Sequence, residues 1–159
     1  MHIYDPRVRT KGETLVDVVV GATRAEGGTR GRRVVLRAPR QLPFFGGEFE
    51  RPPIAAAVFA SETSLPRPVR DSLGDLASDP VEWARACVEK FGADLVSLHM
   101  EGLERREAVE VVEDVLQAVD VPLAVGGLKD PCLEDGVVEA VAEACEGERC
   151  LLMAATLER

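Results

Sequence analysis

Among side chains able to do acid–base, ligand or metal chemistry, the 159 residues include only two histidines and four cysteines. His99 has the most telling setting. It lies near the end of the apolar run Asp94–Met100, with Glu101 two residues beyond it. Imidazole titrates near neutrality and serves as a ligand or proton carrier. Glu101 has a carboxylate to accept a proton or a hydrogen bond. The plainer alternatives are a histidine hydrogen-bonded at a strand end and a solvated loop carboxylate. Gly126 and Gly127 end the run LAVGG. A missing Cβ there admits a flat macrocycle or another stretch of backbone, or simply makes a strand-to-helix turn. Ser61, Thr63 and Thr156 stand at the ends of other apolar runs, as polar caps or as binders. None of these residues forms a catalytic constellation, and none is assigned as catalytic or as a metal ligand.

The cysteines at 87, 132, 145 and 150 contain no CxxC pair, so a zinc or iron–sulfur site made by this chain alone is not expected. Cys87 and Cys145 fall on apolar helix faces and Cys150 opens an apolar run, which reads as small core residues. Cys132 sits in a loop. The segment GGTRG, 27–31, followed by Arg32 and Arg33, looks like a phosphate cradle but lacks the strand-to-helix setting that would give it a dipole. It reads as a hairpin turn.

The elements that must position these residues alternate. Leu15–Thr23 and Arg32–Ala38 are β-branched runs either side of the glycine turn, as in a hairpin. A Pro-, Gly- and Phe-rich loop leads to two prolines at 52 and 53. From Ile54 the run IAAAVFA has no polar alternation, as in a strand buried on both faces. A loop of Pro, Ser and Thr follows. Asp79, Pro80 and Glu82 then have the spacing of a helix start, and Gly92 stops that helix. Asp94–Met100 is the next strand. Apolar residues at 108, 111, 112, 115, 116 and 119 step by three and four as one helix face. LAVGG, a helix with Val137, Val138, Val141, Ala144 and Cys145 on its apolar face, and CLLMAAT complete the order.

That order is β-α-β-α-β-α-β behind a β-pair. It predicts an α/β fold with a parallel sheet and right-handed crossovers. An open sheet would carry a phosphate loop after its first strand, but SETSLPRP stands there and no GxGxxG or GxxxxGK[ST] occurs. A full (β/α)₈ barrel needs about 250 residues. Both architectures remain open on these residues; read as a barrel, the chain is a TIM-barrel-type half barrel of about four β/α units. The N-terminal hairpin and linking loop span 1–53, the half barrel spans 54–159, and together they form one structural domain.

Composition narrows the function. Hydrophobic residues make up 46% and aromatics only 4%, so Ala, Val and Leu fill the core. The net charge of −9 argues against nucleic-acid binding and against docking on an anionic membrane. The charge is uneven, with +4 over 1–53 and −13 over 54–159. Acidic helix faces explain this, or else the basic head Arg30, Arg32, Arg33, Arg37 and Arg40 meets an acidic partner or a phosphate. The first residues have no apolar signal-peptide core, and no apolar run approaches the roughly 20 residues of a membrane helix. A soluble, cytoplasmic protein is expected.

Several stretches resemble one family. VEDVLQAVDVPLAVGG (112–127) and EGERCLLMAAT (146–156) look like the small, or delta, subunit of the corrinoid iron–sulfur protein of the acetyl-CoA decarbonylase/synthase system. DPVEWARACVEKFGADLVSLHMEG (79–102), VVVGATRAEGGTRG (18–31) and LPFFGGEFERPPIAAAVF (42–59) resemble further parts of that subunit, in order, over about residues 13–157. The resemblance implies the N-terminal half of a (β/α)₈ barrel with an N-terminal hairpin closing its entrance. It also implies a larger partner subunit with a [4Fe–4S] cluster and a corrinoid (cobalamin) between the two. The cobalt would carry a methyl group from methyl-tetrahydropterin to acetyl-CoA synthase. The small subunit would hold and shield the corrinoid and break no bond itself, as part of a CO dehydrogenase/acetyl-CoA synthase-type system. Ligand sites of such barrels lie at the C-terminal ends of the strands. The expected cofactor-binding residues are thus His99, Glu101, Gly126, Gly127, Thr156 and Thr63, with no Fe–S cluster on this chain.

Two other functions compete. One is a pterin-dependent methyltransferase barrel, which the complete lack of asparagine weakens. The other is a non-catalytic half-barrel interaction module. In every case an open apolar sheet edge and an uncovered face favour association. The expected partner is the large corrinoid iron–sulfur subunit or a second half-barrel, as a homo- or hetero-oligomer.

Overall fold

A computed structural model describes residues 17–36, 51–62, 65–126 and 136–153. Strands β1 (Val18–Val20) and β2 (Val34–Leu36) pair antiparallel, with Val19 opposite Val35. Strands β3 (Ala55–Phe59), β4 (Leu95–His99), β5 (Leu123–Gly126) and β6 (Leu151–Leu152) form a parallel sheet in that order. Helices α2 (Pro80–Glu89), α3 (Arg105–Ala118) and α4 (Val137–Ala144) connect consecutive strands. This is the expected α/β order with a parallel sheet and a separate β-pair.

The helices begin where side chains can satisfy free amides. The Asp79 carboxylate accepts from the amides of Val81 and Glu82 at 3.1 and 3.0 Å, and Pro80 takes the first helical position, where no amide is needed. Glu104 caps α3 in a reciprocal box with Glu107. The apolar faces follow the helical period: Trp83, Ala84, Ala86 and Cys87 on α2, then Ala108, Val112, Val115 and Leu116 on α3. On α4, Val137, Ala140 and Val141 are buried, while Val138, read as part of the apolar face, is turned to solvent.

Strand residues divide by the period of two. Val58, Val96, Leu98, Leu123 and Val125 join the helix faces in the main core. On the opposite side Leu95 and Ala124 form a second cluster with Val34, Leu36, Leu151 and Met153. The expectation that IAAAVFA is buried on both faces is corrected. Ile54, Ala55 and Ala57 are exposed, because the β-pair covers the second face only near β4–β6. The presumed loop after it is also corrected, since it contains α1 (Arg67–Leu73) and a 3₁₀ turn, Gly74–Ser78. Helix α1 buries none of its residues, so it has no apolar stripe to betray it, and two prolines flank or open it.

The β-pair sits on the N-terminal edge of the parallel sheet. Its backbone amides at Gly21, Ala22 and Gly31 donate to the carbonyls of Arg149, Glu148 and Asp120, at 2.8, 2.9 and 2.7 Å. Arg32 reaches the carbonyl of Ala93. These acceptors immediately precede β4, β5 and β6. The pair therefore leaves the C-terminal edge, where His99 and Gly126 lie, uncapped by it.

Candidate functional site at the C-terminal strand edge

Ladder bonds carry the sheet to its C-terminal edge. Ala60 N–H donates to the His99 carbonyl at 2.8 Å, and Met100 N–H donates to the Gly126 carbonyl at 3.0 Å. His99 is the register partner of Phe59 on one side and of Gly126 on the other. The Phe59 and His99 rings stack, with centroids 4.7 Å apart and planes 18° from parallel. Phe59 in turn lies 6.1 Å from the largely buried Trp83 ring. This row of rings runs from the helix layer to the second face of the sheet and limits the orientations open to the imidazole.

Ser97 precedes His99 by two residues and so shares its face. Its Oγ lies 3.2 Å from His99 Nε2 and 3.7 Å from Met153 Sδ. A cluster of hydroxyl, imidazole and thioether thus sits among apolar residues, half-buried, beside the stacked phenyl ring. Its chemistry is hydrogen bonding and ring contact. Among the described residues, no group of three His, Cys, Asp or Glu side chains could hold a metal ion.

The structure brings His99 and Gly126 together as register partners. A Cβ built on Gly126 would fall 2.6 Å from Met153 Cβ and 2.9 Å from its carbonyl oxygen. Of the two close approaches considered for this glycine, a backbone one is therefore made by the chain itself. Glu101 is half-buried in the turn after β4, next to Gly102 at φ 79°. Thr63, Gly127 and Thr156 lie outside the described residues, as do Cys132, Arg37 and Arg40. Phe59, Ser97 and Met153 were not anticipated as site residues. The signal for Ser97 was its two-residue spacing from His99. Phe59 and Met153 come from other strands and had no local signal.

The described arginines of the basic head are engaged within the chain. Arg30 is 3% exposed. Its guanidinium donates to the carbonyls of Leu116 and Val119, both at 2.6 Å, and pairs with Glu148 at 2.8 Å. Burial alone would raise the Glu148 carboxyl, but the Thr29 amide and hydroxyl and the Arg30 charge outweigh it and hold it below the usual range. Arg33 pairs with Glu26 at 3.3 Å. Three of the five arginines therefore bond to this chain, and Arg37 and Arg40 lie outside the described residues. Cys87 is a buried thiol pushed up by desolvation. Cys145 is also buried and shares a hydrogen bond with the half-buried Cys150, which lowers Cys145 and raises Cys150.

The four parallel strands and the helices that connect them make this an α/β protein. The family model of the CO dehydrogenase/acetyl-CoA synthase delta subunit matches residues 17–159. The chain belongs to that family. It is 44% identical over 165 residues to the acetyl-CoA decarbonylase/synthase complex subunit delta of Archaeoglobus fulgidus, an alignment covering 98% of this chain and 36% of that protein. It is 40% identical over 147 residues to the subunit of the same name from Methanopyrus kandleri, covering 87% and 37%. Against that from Methanocaldococcus jannaschii it is 37% identical over 164 residues, covering 98% and 40%. The chain thus spans a little over a third of the length of these curated relatives. Among the described residues no helix is long and apolar enough to cross a membrane.

Proposed function

We propose that this chain is the N-terminal half of a (β/α) barrel that holds a corrinoid together with a partner. It would thereby support methyl transfer from methyl-tetrahydropterin to acetyl-CoA synthase in cytoplasmic one-carbon metabolism. When bound, the corrinoid supplies a cobalt that accepts and releases the methyl group. The chain's own task is to bind and orient the macrocycle and to exclude water. In this reading the iron–sulfur cluster belongs to the large corrinoid iron–sulfur subunit.

The observation that carries the reading is the Ser97, His99 and Phe59 cluster at the C-terminal edge, within residues 17–159 that match the delta-subunit family. The cluster suits the group. A corrin is a flat ring edged with amides, and His99, held by Ser97, offers a hydrogen-bonding nitrogen beside the Phe59 ring. The sheet face at Ala55 and Ala57 is a smooth floor of methyl groups. Glu101, Gly126, Gly127, Thr63 and Thr156 are proposed as further rim contacts, with Gly126 contributing backbone rather than open space.

The exposed Ala55 and Ala57 also favour a second reading, a non-catalytic interaction module whose open face receives β/α units from a partner or a second half-barrel. Native mass spectrometry of the chain incubated with hydroxocobalamin separates the two. A corrinoid retained by the chain or its oligomer supports the first. An oligomer without corrinoid rejects it in favour of the module.

A further inference from the structure

The contact among Ser97, His99 and Met153 has one hydroxyl proton and two neighbours able to take it. If Ser97 Oγ–H donates to His99 Nε2, the ring proton must sit on Nδ1 and Met153 Sδ receives nothing. If instead His99 Nε2–H donates to Ser97 Oγ, the hydroxyl is released to donate to Met153 Sδ. The 3.2 and 3.7 Å separations admit both bonds at once. The second arrangement makes two hydrogen bonds where the first makes one. In a half-buried, largely apolar setting, leaving a polar contact unmade is the costlier choice. The Phe59 stack at 4.7 Å resists rotation of the ring that would exchange its nitrogens.

We infer that Ser97 and Met153 hold His99 as its Nε2–H tautomer. The lone pair is then on Nδ1, which makes the imidazole an acceptor for an N–H donor of a bound ligand. Ser97 and Met153 are positioning residues in this scheme, since they act through the ring. The amide edge of a corrinoid supplies such donors, and that recognition step rests on the function proposed above. The tautomer does not.

Long-range ¹H–¹⁵N spectra of the full 159-residue chain, labelled at histidine, read which ring nitrogen carries the proton. The His2→Gln variant identifies the His99 signals, because these are the two histidines of the chain. The wild type is expected to show protonated Nε2 and bare Nδ1. Met153→Leu removes the thioether, frees the hydroxyl proton for Nε2 and moves the population toward Nδ1–H. Ser97→Ala breaks the chain of bonds, and Ser97→Thr, which keeps the hydroxyl, retains the wild-type pattern. A wild type protonated on Nδ1, or a Met153→Leu spectrum unchanged from wild type, overturns the assignment.

Hydroxocobalamin titration followed by absorbance then tests recognition. Met153→Leu and Ser97→Ala should raise Kd about threefold to tenfold, the equivalent of one hydrogen bond, and Ser97→Thr should restore it. Wild-type binding with Kd unmoved by Met153→Leu defeats the recognition step alone. No wild-type binding defeats the corrinoid reading and recognition with it, while the spectra still decide the tautomer.

Discussion

The two edges of the parallel sheet are built on opposite plans. At the N-terminal edge the β-pair is tied down by Arg32 and three backbone amides, bonded to residues just ahead of β4, β5 and β6, and by Arg30, bonded to the end of α3 and to Glu148. Charges there are matched, as in Arg30–Glu148 and Arg51–Asp94. At the C-terminal edge the contacts are a ring stack and a short hydrogen-bonded chain of side chains. β/α folds commonly divide labour this way, with stability at the strand starts and ligand contacts at the strand ends. The contrast also shows where the described arginines of the basic first third are engaged. Arg30, Arg32, Arg33 and Arg51 are each bonded within the chain.

The largest effect that tests the contrast comes from Arg30→Ala. Removing the guanidinium leaves the Glu148 carboxylate and the Leu116 and Val119 carbonyls without their buried donor. Breaking one partner of a buried ion pair is worth about 3–5 kcal/mol. Urea denaturation should show a loss of that order, and His99→Ala should show much less. Equal losses at the two sites would erase the distinction between the edges.

Next in size is Gly126→Ala, at the opposite edge. The added methyl would meet Met153 Cβ and carbonyl at 2.6 and 2.9 Å, so β6 must shift. Overpacking of this kind costs about 1–3 kcal/mol. A thermal melt should record it, together with a change in the His99 ring signals, because Met153 is linked to His99 through Ser97. A stable variant with unaltered His99 signals would mean the two strands are not coupled. Away from both edges, Asp79→Ala removes the α2 cap and should cost about 1 kcal/mol, leaving the His99 signals in place.

Legibility in the sequence follows the range of the interaction. Asp79, Pro80 and Glu82 announce α2 because a cap is satisfied within three residues. The stripe from Ala108 to Leu116 announces α3 because one face of a helix is local. The parallel order follows from apolar runs alternating with such helices. Arg30 was not legible, since its acceptors lie more than 80 residues away at the end of α3 and an arginine is seldom buried. Half of the edge cluster was visible in the spacing of Ser97 and His99. Its other half, Phe59 and Met153, arrives only when β3 and β6 are placed either side of β4 and β5. The exposure of Ala55 and Ala57 depends equally on what lies over the sheet, which an apolar run does not encode.

The smallest effect is acid sensitivity of the N-terminal edge. Three carboxylates with lowered pKa gather there. Glu26 is held at about 2 by the Thr23 amide and hydroxyl and by Arg149. Asp94 is lowered by the Ile54 amide and by Arg51, against the burial that raises it. Glu148 is lowered as described above. A carboxyl whose folded pKa is depressed stabilises the fold fully above its unfolded value and loses that contribution as pH falls through the folded value. For Glu26 the window runs from about 4.5 down to about 2. Glu26 is open to solvent, so screening keeps its share small. Acidification also relieves the repulsion of a chain carrying −9, which acts in the opposite direction. The two are separated by comparing urea midpoints at pH 7 and pH 3 for the wild type and for Glu26→Gln. The variant gives up the local contribution at both pH values but keeps nearly all of the global repulsion. Its midpoint should therefore fall less on acidification than that of the wild type. An equal fall in both would place the acid-sensitive contacts elsewhere and leave the N-terminal edge held by Arg30 and the backbone bonds alone.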